Sequence, residues 1–150
     1  MTVTTSPATD ERRQSVRVLW ADDDPMIRSV MALNLEAEGF DVQTVADGDA
    51  AYEEAVRIPP DVLVLDIMMP GQDGYAVLRA LRMNPETAEL PVVLLTAKAT
   101  DAEVWEGWKA GADYYITKPF NPTELTDFID HLLFESTPDD AAAASHGITP

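Results

Sequence analysis

Five side chains in this sequence are of the types that handle a metal ion or a phosphoryl group: the adjacent acids Asp22 and Asp23, a third acid at Asp66, the hydroxyl of Thr96 and the amine of Lys118. Asp66 closes the apolar run Val62-Leu63-Val64-Leu65, and the chain then breaks through Met68-Met69-Pro70-Gly71. Consecutive apolar residues between turn signals suit a strand covered on both faces, as in a parallel sheet. Asp66 therefore stands at the carboxyl end of a buried strand, the edge at which open α/β sheets bind ligands. Taken alone, it reads more simply as a helix N-cap or a solvated loop acid.

The other four residues change that reading, because each also follows a strand-like run. Carboxylates converging from three positions repel one another, at roughly 3 to 4 kcal/mol per close pair for an effective dielectric of ~20. A cation must offset this. With a few oxygen ligands and nothing softer, the fitting ion is Mg²⁺ or Mn²⁺, which accepts one or two carboxylates and keeps waters for a phosphoryl group. Lys118 adds a fixed positive charge and Thr96 a hydroxyl donor. A carboxylate nucleophile among these groups is a site for phosphoryl transfer to Asp66, in which positioning and charge neutralisation carry the chemistry. The plainer reading, helix caps plus a surface ion pair, needs several independent coincidences. For Thr96 alone a strand-end hydroxyl bonded to backbone stays open.

Five alternations of strand and helix position these residues. Val16 to Ala21 is a strand; Asp24 and Pro25 then start a helix with Ile27, Val30, Met31 and Leu35 on one face and Gly39 as its stop. Asp41 to Val45 is the second strand, and a helix opens at Asp47-Gly48 and runs to about Arg57. After the third strand, Asp73 caps a helix reaching about Met83. Pro91 to Thr96 is the fourth strand, and Thr100-Asp101-Ala102-Glu103 is a capping box for a fourth helix that Gly111 ends. Tyr114 to Thr117 is the fifth strand, followed by a helix capped at Asn121 and ending near Phe134. Regular alternation implies right-handed crossovers and a doubly wound, five-stranded parallel sheet with helices on both faces. Residues 1–15 and 135–150 lack apolar periodicity and are expected to be disordered tails around one domain, 16–134.

Composition narrows the partners. A net charge of −17 over 150 residues disfavours a phosphate backbone or an anionic membrane surface, so no direct nucleic-acid or membrane partner is expected. Without cysteine there is no disulfide, thiol nucleophile or thiolate metal site. No apolar run is long enough to span a bilayer and no signal peptide is evident, so a cytoplasmic protein is expected. His131 and His146 match no ligand spacing and read as surface residues, so a phosphodonor histidine must come from another protein.

The segments VLWADDDPMIR, LVLDIMMPGQDG, VVLLTAKA and ADYYITKPF, in this order and spacing, resemble the receiver domain of two-component response regulators over about 120 residues. The resemblance implies the flavodoxin-like (βα)5 fold with strand order 2-1-3-4-5. It implies Asp66 as phosphoacceptor, with Asp23 ligating Mg²⁺ directly, Asp22 mainly through water, and Met68 through its backbone carbonyl. Thr96 and Lys118 would contact the phosphoryl oxygens, Tyr115 would change rotamer as the switch aromatic, and the Lys118-Pro119 bond would be cis. Met68 and Lys98 would tune hydrolysis of the phosphoryl group, and neither can orient water.

Some residues keep a structural alternative. Tyr115 is also readable as a core aromatic, and Trp108 as packing at helical spacing from Val104. Trp105 is readable as half-buried packing or as a partner anchor. Trp20 departs from the family pattern, which has a small β-branched residue there, so the layer around it must repack.

The expected function is a single-domain response regulator, not an enzyme beyond its own phosphorylation and dephosphorylation. Its partners would be a sensor histidine kinase or histidine phosphotransfer protein and a downstream protein target, with phosphorylation-dependent homodimerisation as a further output. The alternative is a pseudo-receiver, a phosphorylation-independent interaction module. A flavodoxin would need a phosphate-binding loop where Asp22-Asp23-Asp24 stand, and a haloacid-dehalogenase-type phosphohydrolase would need an acid in place of Met68.

Overall fold

Side chains that alternate between two apolar faces make the central strands, and the interior strands are buried at nearly every position: β1 (Arg17–Ala21), β3 (Val62–Asp66) and β4 (Val92–Thr96). The edge strands are β2 (Asp41–Val45) and β5 (Tyr114–Thr117). β2 is only half-buried, in keeping with its Asp41, Gln43 and Thr44. The computed structural model describes residues 16–69, 73–96, 105, 108–118 and 120–134. Its strands form one parallel sheet in the order β2-β1-β3-β4-β5, the flavodoxin-like α/β topology expected.

The helices are α1 (Pro25–Ala37), α2 (Gly48–Arg57), α3 (Gly74–Met83), α4, of which Trp105 and residues 108–110 are described, and α5 (Pro122–Phe134). Three acids cap as the sequence predicts. Asp24 accepts from the Met26 and Ile27 amides, Asp47 from Ala50 and Asp73 from Ala76. Each such cap is worth about 1 kcal/mol. Gly111, with φ of 101°, ends α4 and lies so close to Arg82 that an added Cβ would sit 3.0 Å from its Nε. That guanidinium donates to the Leu90 and Gly111 carbonyls and pairs with Asp113, stitching the end of α3 to the entries of β4 and β5.

Period-two alternation divides the core in two. Leu19, Ala21, Leu63, Leu65, Leu94 and Tyr115 face α2 and α3, with Trp108 packed against them. Val18, Trp20, Val64, Val93 and Leu95 face α1 and α5, meeting Met31, Leu35, Leu125 and Ile129.

Differences from the expected elements are small. The first and fourth strands begin one residue later, although the carbonyls of Val16 and Pro91 still accept from Asp41 and Leu63. Val30, expected on the buried face of α1, is 46% exposed, because Met31 and Leu35 fill the narrow strip against the sheet. The tails, Val104, the capping box at Thr100, Lys98, His146 and the Lys118-Pro119 bond lie outside the described residues.

Candidate functional site

Strand register assembles the site. Ala21 pairs with Leu65, so the residues that follow, Asp22 and Asp66, leave β1 and β3 side by side. Asp66 pairs with Leu95 and Thr96 with Thr117, which brings Thr96 and Lys118 to the same edge. The Lys118 amide donates to the Thr96 carbonyl at 2.6 Å, fixing where the lysine leaves the sheet.

Lys118 reaches across to both buried acids. Its Nζ donates to Asp66 Oδ2 at 2.8 Å and to Asp22 Oδ2 at 3.2 Å, and both carboxylates are almost fully buried. Their second oxygens are held locally: Asp66 Oδ1 accepts from the Met68 amide, Asp22 Oδ1 from the Asp24 amide. Arg28 donates to the Asp22 carbonyl at 2.8 Å, tying α1 to the same turn. Asp23 is the exposed member.

Charge in this cluster does not balance. Burial pushes the Asp66 carboxyl above its ordinary value; Lys118 and the Met68 amide pull it back, and Asp22 pushes it up again. For Lys118 burial works against the charge, but the hydrogen bond and charge of Asp66, then those of Asp22, outweigh it and hold the amine above the ordinary lysine value. Both shifts are upward because two buried carboxylates share one ammonium, so burial and the second acid outweigh the ion pair at Asp66.

Asp22, Asp23 and Asp66 each offer one carboxylate oxygen, all within 4.8 Å of one another. Opposite ligands of an octahedral Mg²⁺ lie about 4.2 Å apart, so a small adjustment brings the oxygens into its shell. The donors are hard oxygens, and three carboxylates against one ammonium leave the two negative charges a dication cancels. The residues therefore fit Mg²⁺ or Mn²⁺.

The remaining expected residues fall around this cluster. Thr96 is buried at the end of β4, on the sheet face that carries Leu94 and Tyr115. The Met68 side chain is 74% exposed at the rim. Tyr115 is buried, and its hydroxyl lies 2.9 Å from that of Tyr75. Trp105 is 60% exposed on α4, away from the half-buried position that packing would give it, whereas Trp108 packs against the core. His131 is half-buried on α5.

Sequence reasoning missed two contributors. Gly74 lies where an added Cβ would come 2.7 Å from the Ile67 Cα and 2.9 Å from the Asp66 carbonyl oxygen, so only glycine lets α3 begin this close to the end of β3. Its Asp-Gly context signals a helix start and hides this second constraint. Tyr75, the hydroxyl partner of Tyr115, carried no signal, since the two are 40 positions apart.

The family model for the response regulator receiver domain matches residues 18–130. The chain belongs to this family. It is 41% identical over 117 residues to the DNA-binding dual master transcriptional regulator RpaA of Synechocystis, covering 78% of this chain and 48% of that protein. It is 42% identical over 127 residues to the response regulator MprA of Mycobacterium leprae, covering 85% and 55%. Among solved structures, the receiver resembles the chemotaxis protein CheY4 of Vibrio cholerae, with a TM-score of 0.75 and 32% identity over 79% of this chain and 98% of that one. It also resembles the receiver domain of the sensor histidine kinase PA1611 of Pseudomonas aeruginosa, solved with magnesium in its active-site cleft, with a TM-score of 0.72 and 30% identity over 77% and 95%.

These relatives correct one expectation. The acidic composition predicted no nucleic-acid partner, yet RpaA and the MtrA proteins are named as DNA-binding regulators. This receiver chain spans about half the length of such relatives, and a charge summed over that half carries no information on the other. Among the described residues, no helix is long and apolar enough to cross a membrane.

Proposed function

We propose that this receiver accepts a phosphoryl group on Asp66 from the phosphohistidine of a sensor kinase or phosphotransfer protein in the cytoplasm, and passes the change to an output that includes transcriptional control. The observation that carries this reading is Lys118 bridging the buried Asp22 and Asp66. An oxygen of Asp66 attacks the donor's phosphorus, the P–N bond breaks as the P–O bond forms, and the imidazole leaves. Lys118 and Thr96 take up the oxygens of the transferred group. Mg²⁺, held by Asp23, Asp66, Asp22 through water and the Met68 carbonyl, would supply charge neutralisation when bound. The receiver catalyses only its own phosphorylation and dephosphorylation.

Two further features support this reading. An apolar cavity of about 470 Å³ between α1 and the start of α5 is lined by Met26, Ile27, Val30, Phe120 and, at its edge, Lys118, so a donor partner has an apolar seat beside the site. Thr96 and Tyr115 share one sheet face, giving phosphorylation a route to the α4, β5 and α5 surface where Trp105 is exposed. Transcriptional output is proposed from the DNA-binding relatives. Partner binding and dimerisation are the routes by which the switched surface would act.

Intact-mass measurement after incubation with Mg²⁺ and acetyl phosphate tests the reading. One added phosphoryl group is expected in the wild type and none in Asp66→Asn. No addition to the wild type would favour a constitutive interaction module instead.

A further inference from the structure

Trp20 is wholly buried two residues before Asp22. Alternation along β1 puts Val18, Trp20 and Asp22 on one face, and the register sets Trp20 beside Val64, which precedes Asp66 by two on the same face of β3. The indole thus occupies the layer directly beneath the two carboxylates that Lys118 bridges. Its ring lies 5.8 Å from that of Phe120 at 46°, and Phe120 stands two residues after Lys118.

This arrangement has a cost that a valine or phenylalanine would avoid. Trp20 Nε1 is the buried side-chain polar atom that has no hydrogen-bond partner among the described residues. The N–H therefore does not explain the indole, and its volume does. A smaller side chain would leave a void under Phe120, and the turn carrying Lys118 would settle toward it.

We propose that Trp20 is a positioning residue: with Phe120 it forms a floor that holds the Lys118 turn at the height from which the ammonium reaches both Asp22 and Asp66. The proposal rests on the phosphoacceptor reading for its kinetic consequence, while the geometry it asserts does not. The carboxylates themselves stand on β1 and β3 and need no floor to bind a cation. Loss of the indole should therefore damage phosphoryl transfer and spare metal binding.

The test compares wild type, Trp20→Phe and Trp20→Val. At saturating Mg²⁺ and acetyl phosphate, Trp20→Val is expected to phosphorylate roughly tenfold to a hundredfold more slowly, the scale of a misplacement of about 1 Å. Its Mg²⁺ affinity by calorimetry should stay within about twofold, and Trp20→Phe, which keeps a ring against Phe120, should recover most of the rate. A wild-type rate in Trp20→Val would overturn the proposal, as would parallel loss of rate and metal affinity in both variants. If Trp20→Val fails to fold, Phe120→Leu thins the same floor and carries the same expectations. Should the wild type take up no phosphate, the phosphoacceptor reading fails by itself. Crystal structures of wild type and Trp20→Val then decide the floor, by whether the Lys118 contact with Asp66 is lost in the variant or kept.

Discussion

Tyr75 on α3 and Tyr115 on β5 meet through their hydroxyl groups at 2.9 Å, which ties the aromatic expected to switch to the helix that begins against Asp66. Tyr115 is already buried in this structure. A hydrogen bond of this kind contributes about 0.5 to 1.5 kcal/mol net. Tyr75→Phe and Tyr115→Phe should each lower the urea midpoint, and the double variant should lose less than the two together. Additive losses would show that the hydroxyls are not coupled.

Asp66 gives the metal-free protein a recognisable pH dependence. Its carboxyl is raised in the folded chain, first by burial, so the folded state holds this proton more readily than the unfolded one. The group's contribution is most favourable below the ordinary carboxylate value and declines as pH rises through the raised one. The melting temperature of wild type relative to Asp66→Asn should therefore fall as pH rises above the ordinary carboxylate value of about 4. A pH-independent difference would contradict the shift.

Mg²⁺ should remove that penalty. Metal at ~100 times its dissociation constant adds roughly 2.7 kcal/mol of stability. Asp23→Ala should abolish most of the thermal shift, because Asp23 is the exposed carboxylate of the cluster. A full shift in that variant would place the ion elsewhere.

At Gly74 the space is closed by backbone, which cannot step aside as a flexible side chain can. Gly74→Ala should cost roughly 1 to 3 kcal/mol by overpacking and slow acetyl-phosphate-driven phosphorylation through displacement of the Asp66 turn. Chemical denaturation and intact-mass kinetics measure the two effects. Wild-type values for both would mean that α3 shifts without disturbing the site.

Thr96→Ala separates chemistry from response. Thr96 and Tyr115 lie on one face of the sheet, so the variant should still take phosphate at Asp66 while losing a coupling of about 1 to 3 kcal/mol to partner binding or self-association. The dimer fraction or partner affinity of phosphorylated wild type and phosphorylated Thr96→Ala gives the answer. Equal responses would exclude this route.

By itself the sequence determined the strands, the helix starts at Asp24, Asp47 and Asp73, and the identity of Asp22, Asp23, Asp66 and Lys118 as the charged groups of one sheet edge. These are legible because periodicity, caps and strand-end acids are local signals, written within a few residues of one another. Tertiary structure alone decided which carboxylate oxygens Lys118 holds, since that pairing spans 96 and 52 positions and depends on the register of β1, β3, β4 and β5. It also decided that Tyr75 meets Tyr115, that Gly74 is packed against Asp66, and that Trp20 rests on Phe120 instead of being accommodated by some other repacking. Val30 shows the same limit from the other side. Its apolar character is local, but whether it is buried depends on how wide a strip of α1 the sheet covers.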